Sequence, residues 1–320
     1  MPALSRDPAG ALILAAMVTG VSGTFGGFFD TAWHRTVGRD SFFVLPHLLI
    51  YGAVVAMDLA VLAAAILASR QSSAFAGPRI RLGRLSLPIG FAIMGLGALT
   101  VMASAGVDEW YHRAYGKDVL IWSPPHLMAH GGALIIATGL LFAAAAQRER
   151  GWFRSPILQR TVLLLLFVEL TQRMLFLLAH YTMLPESRTP DYYPFLVAVL
   201  VVPLLIASAR VLGPWAPVRI GCLYLALVGS IDLLLWAIDF LGYTLTPLIV
   251  IPALAATALL EKAGPRRERW WMASAAALLF MAVFYGMESL WMAWVVGRPW
   301  SVTAVLAGLP RSLLAAGVSA

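Results

Sequence analysis

The chain has 320 residues, of which 60% are hydrophobic and only 12% are charged. A soluble domain carries about a quarter of its residues as charge to wet its surface, so a water-soluble globule is excluded and lipid must be the solvent for most of the exterior. The net charge of +7 is not a nucleic-acid signal: only Lys117 and Lys262 are lysines, and most arginines fall in short gaps between apolar runs, as a membrane topology signal does.

A spanning helix needs roughly 20 apolar residues. Nine such runs are predicted in chain order, at about 9–33, 45–69, 87–111, 125–147, 157–180, 193–212, 217–239, 244–261 and 270–296. The expected fold is therefore all-α and polytopic. The first run is too long for a cleaved signal peptide and leads straight into Asp30 and His34. The last segment, Ser301 to Ala320, is apolar but holds Pro310 and Arg311, and is read as an interfacial or loose tail.

The gaps alternate in charge. Arg70, Arg79, Arg81 and Arg84 lie between spans two and three, and Arg148, Arg150 and Arg154 between four and five. Arg210 and Arg219 flank the gap between six and seven, and Lys262, Arg266, Arg267 and Arg269 lie between eight and nine. The positive-inside rule then places the N-terminus in the cytoplasm and the C-terminus outside, with a bacterial inner membrane as the expected location.

Two segments read alike. Asp30 and His34 are followed by twelve residues and His47; Asp108 and His112 are followed by thirteen residues and His126. With one inserted residue in the second copy, Arg35/Arg113, Gly38/Gly116, Asp40/Asp118, Pro46/Pro125, Leu48/Leu127 and Gly52/Gly131 also match. The matches identify a duplicated helical hairpin, spans one-two and three-four. Residues 1–150 are accordingly read as the metal-binding hairpins, and 151–320 as membrane scaffold or subunit-docking helices.

The spacing has a chemical meaning. Asp and His four apart share one face of a helix, and the distal His opens the next helix just after a proline, which suits a first helical turn. Asp30, His34 and His47, and likewise Asp108, His112 and His126, can thus converge on one ion, leaving the open position of an exchange-competent site. The single Cys222 excludes thiolate-rich sites and a disulfide framework. All six histidines map to the outer side, and His130, His180 and Glu288 are candidate additional ligands. The competing reading is that interfacial His, Trp and Tyr serve only as headgroup anchors. Within the spans, Asp58, Glu169, Arg173, Asp232 and Asp239 should face a bundle interior, and Glu169 and Arg173, four apart, should form an internal ion pair.

The two motifs resemble the metal-binding segments of the C subunit of the particulate methane and ammonia monooxygenases, over roughly residues 25–135. That family carries an Asp-x3-His-x12-His set and an Asn-x3-His-x13-His set. Asp30, His34 and His47 match the first, and Asp108, His112 and His126 the second, with Asp in place of Asn. The resemblance implies copper, with iron or zinc as second choices for a His/carboxylate site. It also implies a copper-dependent membrane oxidoreductase, monooxygenase-like, or one subunit of such a complex. The partners expected are the lipid bilayer, other membrane subunits and a periplasmic electron donor, with no nucleic acid. Two other functions compete: a copper or other metal transporter using the same hairpins, and a haem b protein with His126, His130 or His180 as axial ligands.

Overall fold

The structure, a computed structural model, describes residues 7–38, 41–115, 122–148, 155–178, 187–240, 248–264 and 269–320. Among these it contains ten α-helices: α1 Pro8–Thr36, α2 Leu45–Arg70, α3 Ile89–Tyr115, α4 Pro124–Gln147, α5 Pro156–Leu177, α6 Tyr193–Leu212, α7 Ala216–Ala237, α8 Val250–Ala263, α9 Trp270–Trp294 and α10 Val302–Ser319. A two-stranded antiparallel hairpin, β1 Arg79–Leu82 and β2 Leu85–Pro88, joins α2 to α3.

Local chemistry sets the ends. The Asp7 carboxylate accepts from the Ala9 amide at 3.1 Å and Pro8 opens α1, an N-cap with proline at the first helical position. At the other end Gly38, at φ +92°, releases the chain from α1. Prolines also open α2, α4 and α6. Asp239, expected within span seven, lies beyond the end of α7 with a positive φ of 61°, a conformation that a short polar side chain tolerates.

Eight helices, α1–α4, α6, α7, α9 and α10, are long and apolar enough to cross a membrane. The protein is an all-α, polytopic integral membrane protein. The set differs from the sequence expectation in three places. Span five is a helix, α5, but Arg160, Glu169 and Arg173 are spaced so that every 18-residue stretch of it holds all three charges. Span eight reduces, among the described residues, to the 14 residues of α8, about 21 Å at 1.5 Å per residue against a hydrocarbon core of about 30 Å. The tail, expected to be interfacial or loose, is not loose but forms the 18-residue α10. Its Ser301 side chain caps the Ala304 amide at 3.2 Å, and the helix absorbs Pro310.

The chain separates into two compact units, one of residues 1–173 and 233–242, the other of 174–232 and 243–320. In the first unit α1 packs on α2 and α3 on α4. The α3–α4 seam is made by glycines seven apart, Gly90 and Gly97 against Gly132 and Gly139. A Cβ on Gly97 would stand 2.6 Å from the Gly132 carbonyl oxygen, and one on Gly90 would stand 2.5 Å from the Ala143 amide. Small residues let the backbones approach where lipid gives no hydrophobic drive to associate.

Deeper in the same unit the expected Glu169–Arg173 pair forms, with nitrogen–oxygen distances of 2.6 and 2.8 Å. Thr24 of α1 donates to the same carboxylate oxygen at 3.0 Å, and Arg173 donates to the Gly20 carbonyl at 3.3 Å. A Cβ at Gly20 would come within 3.4 Å of Glu169 Oε1, so the glycine makes room for the pair. Glu169→Ala is expected to cost about 3–5 kcal/mol by leaving a buried guanidinium unpaired, and Glu169→Gln less. Unfolding transitions in detergent measure it, and an unshifted Glu169→Ala transition would mean that the network does not hold α1 to α5.

In the second unit, Arg188 and Glu288 form a fully buried ion pair, their side chains 0% and 1% exposed. Arg188 also lies over the Tyr193 ring at 4.8 Å and donates to its hydroxyl at 3.1 Å. The segment around it is tied down by Trp300 Nε1 donating to the Arg188 carbonyl at 2.7 Å and by the Tyr285 hydroxyl donating to the Pro190 carbonyl. Glu288 is thus committed to Arg188, a residue that the sequence places in a gap and that carries no signal of burial there.

Candidate metal centres

The C-terminal ends of α1 and α3 and the N-terminal ends of α2 and α4 carry the duplicated motif. Asp30 and His34 sit one turn apart near the end of α1, and His47 sits in the first turn of α2, after Pro46. Asp108 and His112 repeat the arrangement on α3, with His126 after Pro125 on α4. Each set gathers one ligand atom per residue with all three within 4.8 Å of one another.

The distances resemble the edges of a coordination polyhedron. Asp30 Oδ1 lies 3.7 Å from His34 Nε2 and 3.1 Å from His47 Nε2. Asp108 Oδ1 lies 3.5 Å from both His112 Nε2 and His126 Nε2. Ligands at about 2.0–2.2 Å from an ion at tetrahedral to right angles stand roughly 2.8–3.6 Å from one another. The six side chains are between 12% and 27% exposed, which leaves each site reachable but largely dehydrated.

Protonation sharpens the first triad. His47 Nδ1 lies 3.2 Å from the Phe42 carbonyl oxygen, which can only accept, so Nδ1 carries the proton. In the neutral ring, Nε2 then presents a lone pair to Asp30 Oδ1. That oxygen is buried and makes no hydrogen bond among the described residues. Two acceptors 3.1 Å apart repel unless a proton on Nε2 or a metal ion lies between them. A backbone carbonyl fixing the far nitrogen of an imidazole is also the usual support of a metal-ligating His. Asp108 Oδ1 is likewise buried without a hydrogen bond. The donor set, one carboxylate and two imidazoles without thiolate, fits Cu(II), Zn(II) or Fe(II).

The surroundings of the two triads differ. Tyr51 packs on the His47 ring at 5.6 Å and stacks on Phe42 at 5.1 Å. Trp33 stacks on Phe240 at 5.7 Å, and Phe29 meets Phe240 edge-on at 4.9 Å. Where the first hairpin has Tyr51, the second has His130, one turn below His126 on α4. His130 falls outside the ligand-distance cluster. It lies on α4, which packs against α1 as well as α3, so both triads belong to one unit. Glu288 belongs to the second unit and pairs with Arg188. His180 lies outside the described residues, as do Asp40, Gly116, Asp118, Arg150, Arg154, Arg266 and Arg267.

The Phe42 carbonyl, Phe240 and Thr24 were not singled out from the sequence. A backbone oxygen has no sequence signature, and the other two reach their partners only through tertiary packing. Comparison of the chain with protein-family models, with curated proteins and with solved structures gives no match.

Proposed function

We propose that this is a metal-binding membrane protein, a copper-dependent oxidoreductase of the monooxygenase type or a subunit of one. The observation that carries the reading is the pair of equivalent triads, in each of which a buried carboxylate oxygen without a hydrogen bond faces two imidazole nitrogens at 3.1–3.7 Å. Copper follows from the resemblance of the motifs to the monooxygenase C subunit and from the affinity order for nitrogen and oxygen ligands.

Asp30 and Asp108 supply the negative charge of each site, and the four imidazoles bind as neutral donors. Phe42 holds His47 in the tautomer that turns Nε2 inward. Tyr51, packed on the His47 ring and on Phe42, gives the first site an aromatic flank. With three protein ligands a fourth position stays open to a small molecule, and bound copper would supply one-electron redox chemistry there. We propose further that the triads face the outer side of the membrane and the N-terminus the cytoplasm, because Arg70, Arg79, Arg81 and Arg84 gather at the opposite ends of α2 and α3. The C-terminus follows α10: outside if this helix lies along the surface, cytoplasmic if it crosses.

Transport is the weaker reading. Of Asp58, Glu169 and Glu288, the carboxylates that would extend a path inward from the triads, Glu169 is held by Arg173 and Thr24 and Glu288 by Arg188. The test is dioxygen consumption with an added reductant by the copper-loaded protein in vesicles, beside radioactive copper uptake. Turnover that needs copper and no uptake is the expected result. Full turnover in a metal-free preparation, or uptake without turnover, would overturn the assignment.

A further inference from the structure

We propose that the β-hairpin between α2 and α3 is a membrane-interface anchor that selects anionic phospholipid headgroups. The pairing register places Arg79 opposite Pro88 and Arg81 opposite Ser86, and Ile80 opposite Leu87 and Leu82 opposite Leu85. Opposed residues of an antiparallel pair share a face. One face of this ribbon therefore carries two arginines, and the other is wholly aliphatic. Gly83, at φ +62°, makes the tight turn, and Arg84 follows it at the tip.

Among the described residues, three of the four side chains on the aliphatic face stand open, and Leu87 is half-buried. Ile80, Leu82 and Leu85 are 42%, 67% and 42% exposed. A two-stranded ribbon with a bare apolar face is marginal in water and prone to associate. It is nevertheless held firmly in place. The Ser86 amide donates to Ser69 Oγ of α2 at 2.8 Å, the Ile89 amide to the Pro78 carbonyl at 3.0 Å, and the Ala76 amide to Gln147 of α4 at 3.2 Å. Phe75, fully buried, meets Phe91 of α3 edge-on at 5.6 Å. The ribbon is thus fixed to the ends of three spanning helices, where the bilayer surface must pass.

Charge identifies the occupant. No Asp or Glu occurs between Asp58 and Asp108, and among the described residues Arg81 and Arg84 have no acidic partner. An apolar face at the acyl boundary with arginines at phosphate level is the arrangement of an interfacial anchor. Each such charge favours an anionic over a neutral surface by roughly five-fold. The ribbon lies at the end of α3 opposite Asp108, about 28 Å away along the helix, so the inference is independent of the metal reading.

The test uses the full chain with Cys222→Ser to remove the exposed thiol, and nitroxide labels at Leu82→Cys or Arg81→Cys. The protein is reconstituted in phosphatidylcholine vesicles with and without phosphatidylglycerol. The Leu82 label is expected to relax with oxygen rather than with a water-soluble nickel chelate, and the Arg81 label the reverse. Spin-labelled phosphatidylglycerol should associate several-fold better than phosphatidylcholine. That preference should fall toward one in Arg81→Gln/Arg84→Gln and persist in Arg81→Lys/Arg84→Lys. A Leu82 label open to nickel would overturn the proposal, as would one shielded from both agents by a second protein surface, or a lipid preference unchanged in the glutamine variant.

Discussion

His47→Ala is expected to abolish tight metal binding at the first triad while the second keeps its ion. The imidazole is one of three ligands, and it comes from α2 whereas Asp30 and His34 come from α1. Its loss leaves two ligands on a single helix turn, which cannot enclose an ion. Removing a supporting hydrogen bond to a ligand already costs about 10–100-fold in affinity, so removal of the ligand itself should exceed about 100-fold. Competition against a chelator of known strength measures it, site by site. The corresponding change at His126 should mirror the result on the second triad. If His47→Ala emptied both triads together, the two would behave as one coupled centre, and the reading of two separable sites would fail.

Gly139→Val is expected to be the most damaging apolar substitution in the first unit. A Cβ at this position would lie 2.4 Å from the Met94 amide nitrogen and 2.7 Å from the Gly90 carbonyl oxygen. Overpacking a core typically costs about 1–3 kcal/mol when side chains can shift; here the obstacle is backbone, which cannot swing away, so the helices must part. Because Asp108 and His112 ride on α3 and His126 on α4, the second triad should lose its ion while the first, built on α1 and α2, keeps it. Gly131→Ala, only eight residues away, is the control. An added Cβ there meets nothing within 4 Å, and exchanging a helical glycine for alanine should stabilise by about 0.5–1 kcal/mol. Thermal unfolding and metal content of the two variants separate these outcomes. Equal stability for Gly139→Val and the parent would refute the close α3–α4 seam.

The contrast between those glycines shows what the sequence makes legible. Apolar runs announce most of the spanning helices, because length and hydropathy are properties of the chain itself. The triads were equally readable: an Asp and a His four apart must share a helix face, and a proline one residue before the distal His marks where the next helix begins. Span eight was overestimated because apolarity does not register helix length, as the 14 residues of α8 show. That the tail is helical throughout is not legible, because Pro310 reads as a breaker, although a helix in a packed unit tolerates it. The hairpin carried a period-two pattern, Arg-Ile-Arg-Leu before Gly83 and Leu-Ser-Leu after Arg84, which its arginines disguised as a loop. Arg188 was invisible, since nothing in a gap residue foretells that it will be buried against Glu288.

The central claim is that Asp30, His34 and His47, and Asp108, His112 and His126, are metal ligands, and elemental analysis of the detergent-purified protein tests it most directly. After loading with copper and removal of loosely bound ions, the account predicts near-stoichiometric copper in the parent chain and a sharp loss in His34→Ala/His112→Ala. A parent chain that retains no metal after careful reconstitution, or a double variant that retains as much as the parent, would contradict it and leave the histidines as interfacial anchors.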